Sequence, residues 1–133
     1  LKYILVGLAG IIGASLRYLV GIYFNEWWFH DFPLATFLTN IVGCFLLGWL
    51  TTSFPRFKSL PPYLITALGT GLIGSFTTFS TFSVETVELI QASKWEIAAL
   101  YVLASFWGGL TFSLLGYKLG SRKRQITNEV RQK

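Results

Sequence analysis

Charge, cysteine and histidine are all scarce in this chain, and each scarcity excludes something. Asp, Glu, Lys and Arg together make up 13% of the 133 residues, about half the ~25% usual in soluble domains. Cys44 is the sole cysteine, so there is no disulfide framework; a buried, inert thiol is the expectation. The single histidine, His30, sits beside Asp31 with no nucleophile and no second metal ligand at a useful spacing. That argues against a zinc centre or a nucleophilic hydrolase, and the chain is read as not an enzyme. No phosphate-binding glycine loop followed by Lys and Ser or Thr occurs, so nothing suggests nucleotide-driven pumping. No carboxylate stands at the centre of an apolar run, which a proton-coupled antiporter would want.

What the chain has is apolar surface. Hydrophobic residues make up 53%, and four windows read as spans: residues 3–24, 34–54, 62–90 and 97–119. The connections at 25–33, 55–60 and 91–96 are short, so successive helices are expected to pack antiparallel. The first window is too long for a signal-peptide core, carries Arg17, and lacks a small-residue cleavage site, so it is expected to be retained. Residues 1–120 form one four-helix unit, and 121–133 read as a polar, basic, frayed tail. Four helices surrounded by lipid have little interior, so an oligomer is expected to form any polar path.

The third window is the informative one. At 29 positions it exceeds the ~20 residues of one straight crossing, and its middle reads Gly74-Ser75-Phe76-Thr77-Thr78-Phe79-Ser80-Thr81-Phe82-Ser83. Hydroxyls and a glycine at membrane depth point to a helix broken at mid-membrane, because unpaired polar groups there cost several kcal/mol. Transporters and channels hold ions at such breaks. Phe76, Phe79 and Phe82 recur every three residues, which is commonly a packing stripe. Here they alternate with hydroxyl donors, and a phenyl ring has a positive edge. Ring edges beside hydroxyls suit a small anion, held weakly enough to leave.

Elsewhere polar residues inside the windows are few. Gly7, Gly10, Ala14, Arg17 and Gly21 share a helical face that admits a close neighbour. Arg17 on that face either attracts anions in a vestibule or snorkels to the headgroups. Thr36, Asn40 and Gly43 lie along one stripe of the second window. The Asn40 amide can donate to an anion or hold two helices together. Tyr101 and Ser105 stand one turn apart in the fourth window, with Gly108 and Gly109 following; a membrane serine commonly bonds its own backbone. Trp107 and Phe112 read as packing or lipid contacts, and Glu85 and Glu88 as lying nearer a membrane surface.

Three motifs carry a resemblance. They are Gly10-x-x-Gly13-Ala14-x-x-Arg17-Tyr18, then Pro33-Leu34-x-Thr36-x-x-x-Asn40-x-x-Gly43-x-Phe45-x-x-Gly48, and Gly69-x-Gly71-x-x-Gly74-x-x-Thr77-Thr78-Phe79-Ser80-Thr81-Phe82-Ser83-x-Glu85. Over nearly its whole length the chain resembles the Fluc (CrcB) fluoride channels. It departs from their usual pattern at Ser75, where they commonly have glycine, and at Gly109, where they often have serine. The resemblance implies a passive, fluoride-selective channel that relieves fluoride toxicity, built as an antiparallel dimer in a lipid bilayer. It implies Phe79 and Phe82 as ring-edge fluoride ligands, Asn40 as amide donor, and Thr36, Ser80, Thr81, Tyr101 and Ser105 as the polar track. Arg17 would lie in a vestibule and Glu85 near a pore end. A structural sodium ion would sit on the backbone carbonyls of Gly74 and Thr77.

Other classes fit less well. Small multidrug or guanidinium exporters depend on a glutamate in the first helix, and residues 3–24 contain no acid. A membrane scaffold would explain the small-residue faces but not the hydroxyl-rich break. No nucleic-acid partner is expected, and the location is a bacterial cell membrane, crossed several times. With four spans, Lys2, Arg56, Lys58, Lys118, Arg122, Lys123, Arg124, Arg131 and Lys133 share one face, against Lys94 alone on the other. The positive-inside rule then puts the termini in the cytoplasm, whereas a dual-topology homodimer should be nearly balanced. Two assemblies stay open: an antiparallel homodimer, or a pair with an oppositely oriented homologue. A C-terminal tag should be protected from outside reagents in intact cells; an even split between the two sides would restore the homodimer as the native form.

Overall fold

The computed structural model describes residues 1–28, 31–53 and 61–131, with backbone alone at 25, 27 and 123–131. Everything described is helical or connecting. Helix α1 (Lys2–Trp27) contains Gly7, Gly10, Gly13 and Gly21, which would weaken a helix in water by roughly 0.8–1.0 kcal/mol each. In lipid the backbone has no other partner for its polar groups, and the helix persists. Helix α2 (Leu34–Ser53) starts where the Pro33 carbonyl accepts from the Phe37 amide at 3.1 Å.

The third path is assembled from pieces. Pro62 opens α3 (Pro62–Thr66) at a position that needs no amide donor. Wider π-helical turns follow over Ala67–Ile73, then a last α turn, α4 (Gly74–Phe76). Thr77 and Thr78 are extended, with ψ of 156° and 126°, and α5 (Phe79–Gln91) begins immediately after them. The end of α5 is closed by Ser93 in the left-handed region at φ 60°. The Ser93 amide bonds the Ile90 carbonyl and the Lys94 amide the Leu89 carbonyl, the paired closure typical of a helix C-terminus.

Helix α6 (Trp95–Arg131) is the longest. It does not stop at Leu119, and the segment expected to fray is helical through Arg131. Gly120 is followed by Lys, Arg and Gln, which favour helix, with no proline or further glycine to end it. Among the described residues, three helices are long and apolar enough to cross a membrane: Lys2–Phe24, Leu34–Ser53 and Trp95–Arg122. The protein is an all-α, multi-pass membrane protein. The charged positions Arg56 and Lys58 lie outside the described residues.

The tightest pairs are not the sequential ones. Successive segments do run antiparallel, but the most extensive packing is α2 on α6 and α1 on the π turns, and both pairs are parallel. Glycine is the reason. A Cβ at Gly71 would lie 2.7 Å from the Val6 carbonyl oxygen, and one at Gly13 would collide with the Leu72 carbonyl. Of the expected small-residue face on α1, Gly7 and Gly21 meet nothing within 4 Å and a Cβ at Gly10 would make only an ordinary contact at 3.9 Å; the close approach depends on Gly13, which lies outside that face. Along the other pair, Cβ atoms at Gly48 and Gly116 would collide with the Ser113 and Phe45 carbonyls. Backbone thus touches backbone where lipid offers no hydrophobic drive.

Large apolar side chains on α1 and α6 point outward, Trp107 and Phe112 among them at 60% and 43% exposed. Inside, Leu89, Ala98 and the fully buried Tyr101 form the core, with Phe32, Phe37 and Phe82 against them. Gly48→Val should drive α2 off α6. Its unfolding midpoint in detergent should fall by about 1–3 kcal/mol equivalent, and an unchanged midpoint would mean that the two backbones are not in contact.

Candidate functional site

The stripe on α2 reads the interrupted path in order. Thr36 donates its hydroxyl to Glu85 Oε1 at 2.8 Å. One turn on, Asn40 Nδ2 donates to the Thr78 carbonyl at 3.0 Å, and the Thr78 amide donates to Asn40 Oδ1 at 2.8 Å. Gly43 then leaves room for the Thr77 methyl, with which any Cβ would collide. The Asn40 amide behaves as a peptide group placed sideways. It pairs with both polar groups of the residue at the gap, as a neighbouring strand would.

Thr78 also starts the next helix. Its hydroxyl accepts from the Thr81 amide at 3.2 Å, the usual N-cap bond. It lies 3.0 Å from the Thr81 hydroxyl, to which it donates, and 3.3 Å from that of Ser80. Arg17 Nη1 reaches the Thr81 hydroxyl from α1 at 3.4 Å, while its Nε is buried without a hydrogen-bond partner.

Two cavities flank Thr78. The larger, about 440 Å³, is lined by Asn40, Cys44, Leu47, Thr77, Thr78, Phe79, Phe82, Val102, Ser105 and Phe106. Ser105 Oγ is buried there with no partner. Phe79 is 80% exposed, and Phe82 lies between it and Tyr101, with ring centroids 5.8 and 5.0 Å apart. The smaller, about 170 Å³, is lined by Arg17, Gly21, Ala35, Thr36, Thr39, Thr78, Thr81 and Glu85. Hydroxyls and charge dominate the second as aromatic rings dominate the first.

The family model described as "CrcB-like protein, Camphor Resistance (CrcB)" matches residues 4–117. The chain belongs to the CrcB family. It is 61% identical over 120 residues to "Fluoride-specific ion channel FluC 1" of Bacillus cereus, covering 90% of this chain and 88% of that one. To "Fluoride-specific ion channel FluC 1" of Desulfitobacterium hafniense it is 52% identical over 111 residues, 82% and 94% of the two chains. To "Fluoride-specific ion channel FluC 2" of Geobacillus kaustophilus it is 46% identical over 123 residues, 92% and 95% of the two. These relatives are channels and not enzymes.

In this CrcB chain the expected site residues divide. Phe79, Phe82, Asn40 and Ser105 meet at the larger cavity; Thr36, Thr81, Arg17 and Glu85 meet at the smaller. Ser80 is exposed and lines neither. Tyr101 lines neither, and donates its buried hydroxyl to Glu85 Oε2 at 2.7 Å. Glu85 is half-buried and held by hydroxyls from α2 and α6. Cys44 is half-buried along the larger cavity and not sealed in a core. Gly74 is exposed, and its carbonyl takes the Thr77 hydroxyl at 3.4 Å.

Thr78 and Ser75 are the residues that sequence reasoning passed over. Thr78 was one hydroxyl among several, although an asparagine facing an extended gap implies a partner with both backbone groups free. Ser75 stood out only as a departure from the family pattern. It ties the third path to α1, donating to the Gly10 carbonyl at 2.8 Å. Asn40→Ala should leave both Thr78 groups unpaired, at about 1–3 kcal/mol each. Asn40→Leu keeps the volume but neither polar group and should fall about as far as alanine in denaturation midpoint. Coincident midpoints for all three would remove the clamp.

Proposed function

We propose that this protein is a passive, fluoride-selective channel that lets the ion leave the cell down its electrochemical gradient, so relieving fluoride toxicity. The observation that carries the reading is one cavity gathering Phe79, Phe82, the Asn40 amide and the unpartnered Ser105 hydroxyl beside the start of α5. The first amides of a helix lack intrahelical partners and favour anions. Ring edges and hydroxyls add weak donors without a fixed cation, so an ion that binds can also leave. The printed names of relatives covering most of this chain support fluoride as the ion. Chloride is larger and softer, and suits these compact donors poorly.

The third path completes four crossings, its interruption lying near mid-membrane. Arg17, with Thr81 and Glu85 at the smaller cavity, forms a vestibule that draws anions inward. Thr36, Ser80 and Tyr101 complete or support the polar track. Two subunits pair antiparallel, either as copies of this chain or with a homologue, and the termini face the cytoplasm.

A sodium ion is the structural cofactor. Gly74 and Thr77 close a helix at its carbonyl end, a partly negative terminus of hard oxygen donors. Among the described residues no group of three or more His, Cys, Asp or Glu side chains gathers to hold a metal, so backbone oxygen is the fitting donor. Two carbonyls from one chain are half a shell, which a second subunit would complete. Bound there, the ion would neutralise the facing helix ends.

Efflux from sealed liposomes tests the whole reading. Wild-type protein should release fluoride and hold back chloride, and Phe79→Ile or Phe82→Ile at equal protein density should lower flux at least tenfold with the dimer intact. Prolonged incubation without sodium should weaken dimerisation and flux together. Comparable chloride flux, or wild-type fluoride flux in both variants, would overturn the assignment.

A further inference from the structure

The end of the molecule that bears the termini carries an unbalanced set of cations on a rigid support. Helix α6 leaves its apolar stretch without a break and continues to Arg131. Lys118 and Arg122 are exposed, one turn apart on that helix, and Lys123 and Arg124 follow directly. No acidic residue occurs between Glu96 and Glu129. The parallel packing of α1 on the π turns and of α2 on α6 brings exposed Lys2 to this same end. Among the described residues the ion pair is Lys94 with Asp31, at the opposite end, where Glu26 and Glu96 also lie.

Helix geometry sets the depth of this cluster. From Trp95 to Lys118 the rise is about 35 Å at 1.5 Å per residue, slightly more than the ~30 Å hydrocarbon core. With exposed Trp95 at one interface, where tryptophan concentrates, Lys118 emerges from the core at the other. The further rise to Arg124 is about 9 Å, comparable to the roughly 5–8 Å headgroup layer on each side. A flexible tail could leave the surface at once; the continuous helical backbone keeps this stretch at the depth of the lipid phosphates, with Lys118 and Arg122 exposed on it.

We propose that the 118–124 stretch of α6 is a binding surface for anionic phospholipid headgroups, which neutralise it and anchor that end of the subunit. Juxtamembrane Lys and Arg are each worth ~1 kcal/mol against an anionic leaflet. Removing three should therefore weaken the interaction about a hundredfold at low salt. The surface is independent of the anion conducted, so loss of lipid binding with fluoride flux retained would separate this inference from the channel reading.

The test is a titration of detergent-solubilised full-length protein with short-chain phosphatidylglycerol, phosphatidylcholine or inorganic phosphate, read as the thermal midpoint. Phosphatidylglycerol should stabilise wild type at far lower concentration than phosphatidylcholine does, and 0.5 M salt should blunt the difference. The triple variant Arg122→Gln, Lys123→Gln, Arg124→Gln should need about a hundredfold more lipid, while Lys94→Gln at the other end titrates as wild type. Equal titrations for wild type and triple variant would overturn the proposal. So would an equal loss in Lys94→Gln, or stabilisation by inorganic phosphate that matches the lipid.

Discussion

The fold turns on an exchange of two hydrogen bonds between a side chain and a backbone. Where α4 ends and α5 begins, Thr77 and Thr78 are extended; the Thr77 amide still bonds the Ile73 carbonyl, but the Thr78 amide has no helical partner and turns to a side chain. Away from water each unpaired group of this kind costs several kcal/mol. Asn40 alone supplies donor and acceptor together for Thr78, at 3.0 and 2.8 Å. Gly43 lets α2 come close enough for that reach, and the Thr78 hydroxyl then caps α5. Remove the exchange, and the gap has no reason to stay between the two cavities.

From that point a polar chain spreads through the interior. Thr81 receives hydrogen bonds from Thr78 and Arg17, and Glu85 receives them from Thr36 and Tyr101. Four of the helices, α1, α2, α5 and α6, thereby contribute a side chain to one or other of these two groups, which face each other across the smaller cavity. Buried polar networks of this kind favour a single geometry, since a half-satisfied one is worse than none. Two buried polar atoms beside the cavities have no hydrogen-bond partner: Arg17 Nε at the smaller and Ser105 Oγ at the larger.

Much of this was readable in advance because the signals were chemical. Hydroxyls and glycine inside an apolar window announced an irregular segment, and the second, third and fourth windows coincided closely with helical segments at their starts. The partners were harder to read. Asn40 could serve an anion or a neighbouring helix, and only the extended backbone of Thr78 gives its amide a counterpart for both ends. The position of Glu85 in its window named no partner for it, and the structure supplies two, the hydroxyls of Thr36 and Tyr101 from other helices. Composition could not foresee α6 running on to Arg131, since basic residues suit a solvated helix and a frayed tail equally well. The glycine spacing on α1 pointed to a close contact without saying which glycine makes it; Gly13 does.

The parallel pairing of non-consecutive helices has a consequence for how the chain is made. A helix that emerges into the bilayer during synthesis finds its glycine-lined counterpart two segments later, α1 waiting for the π turns and α2 for α6. Until then the notches at Gly13 and Gly48 and the amide of Asn40 lack the partners they have in the fold. In the finished fold α1 and α2 pack on each other far less than each packs on its later partner. Order arrives late, with the arrival of the interrupted path and the last helix, and non-local contacts of this kind are slow to form.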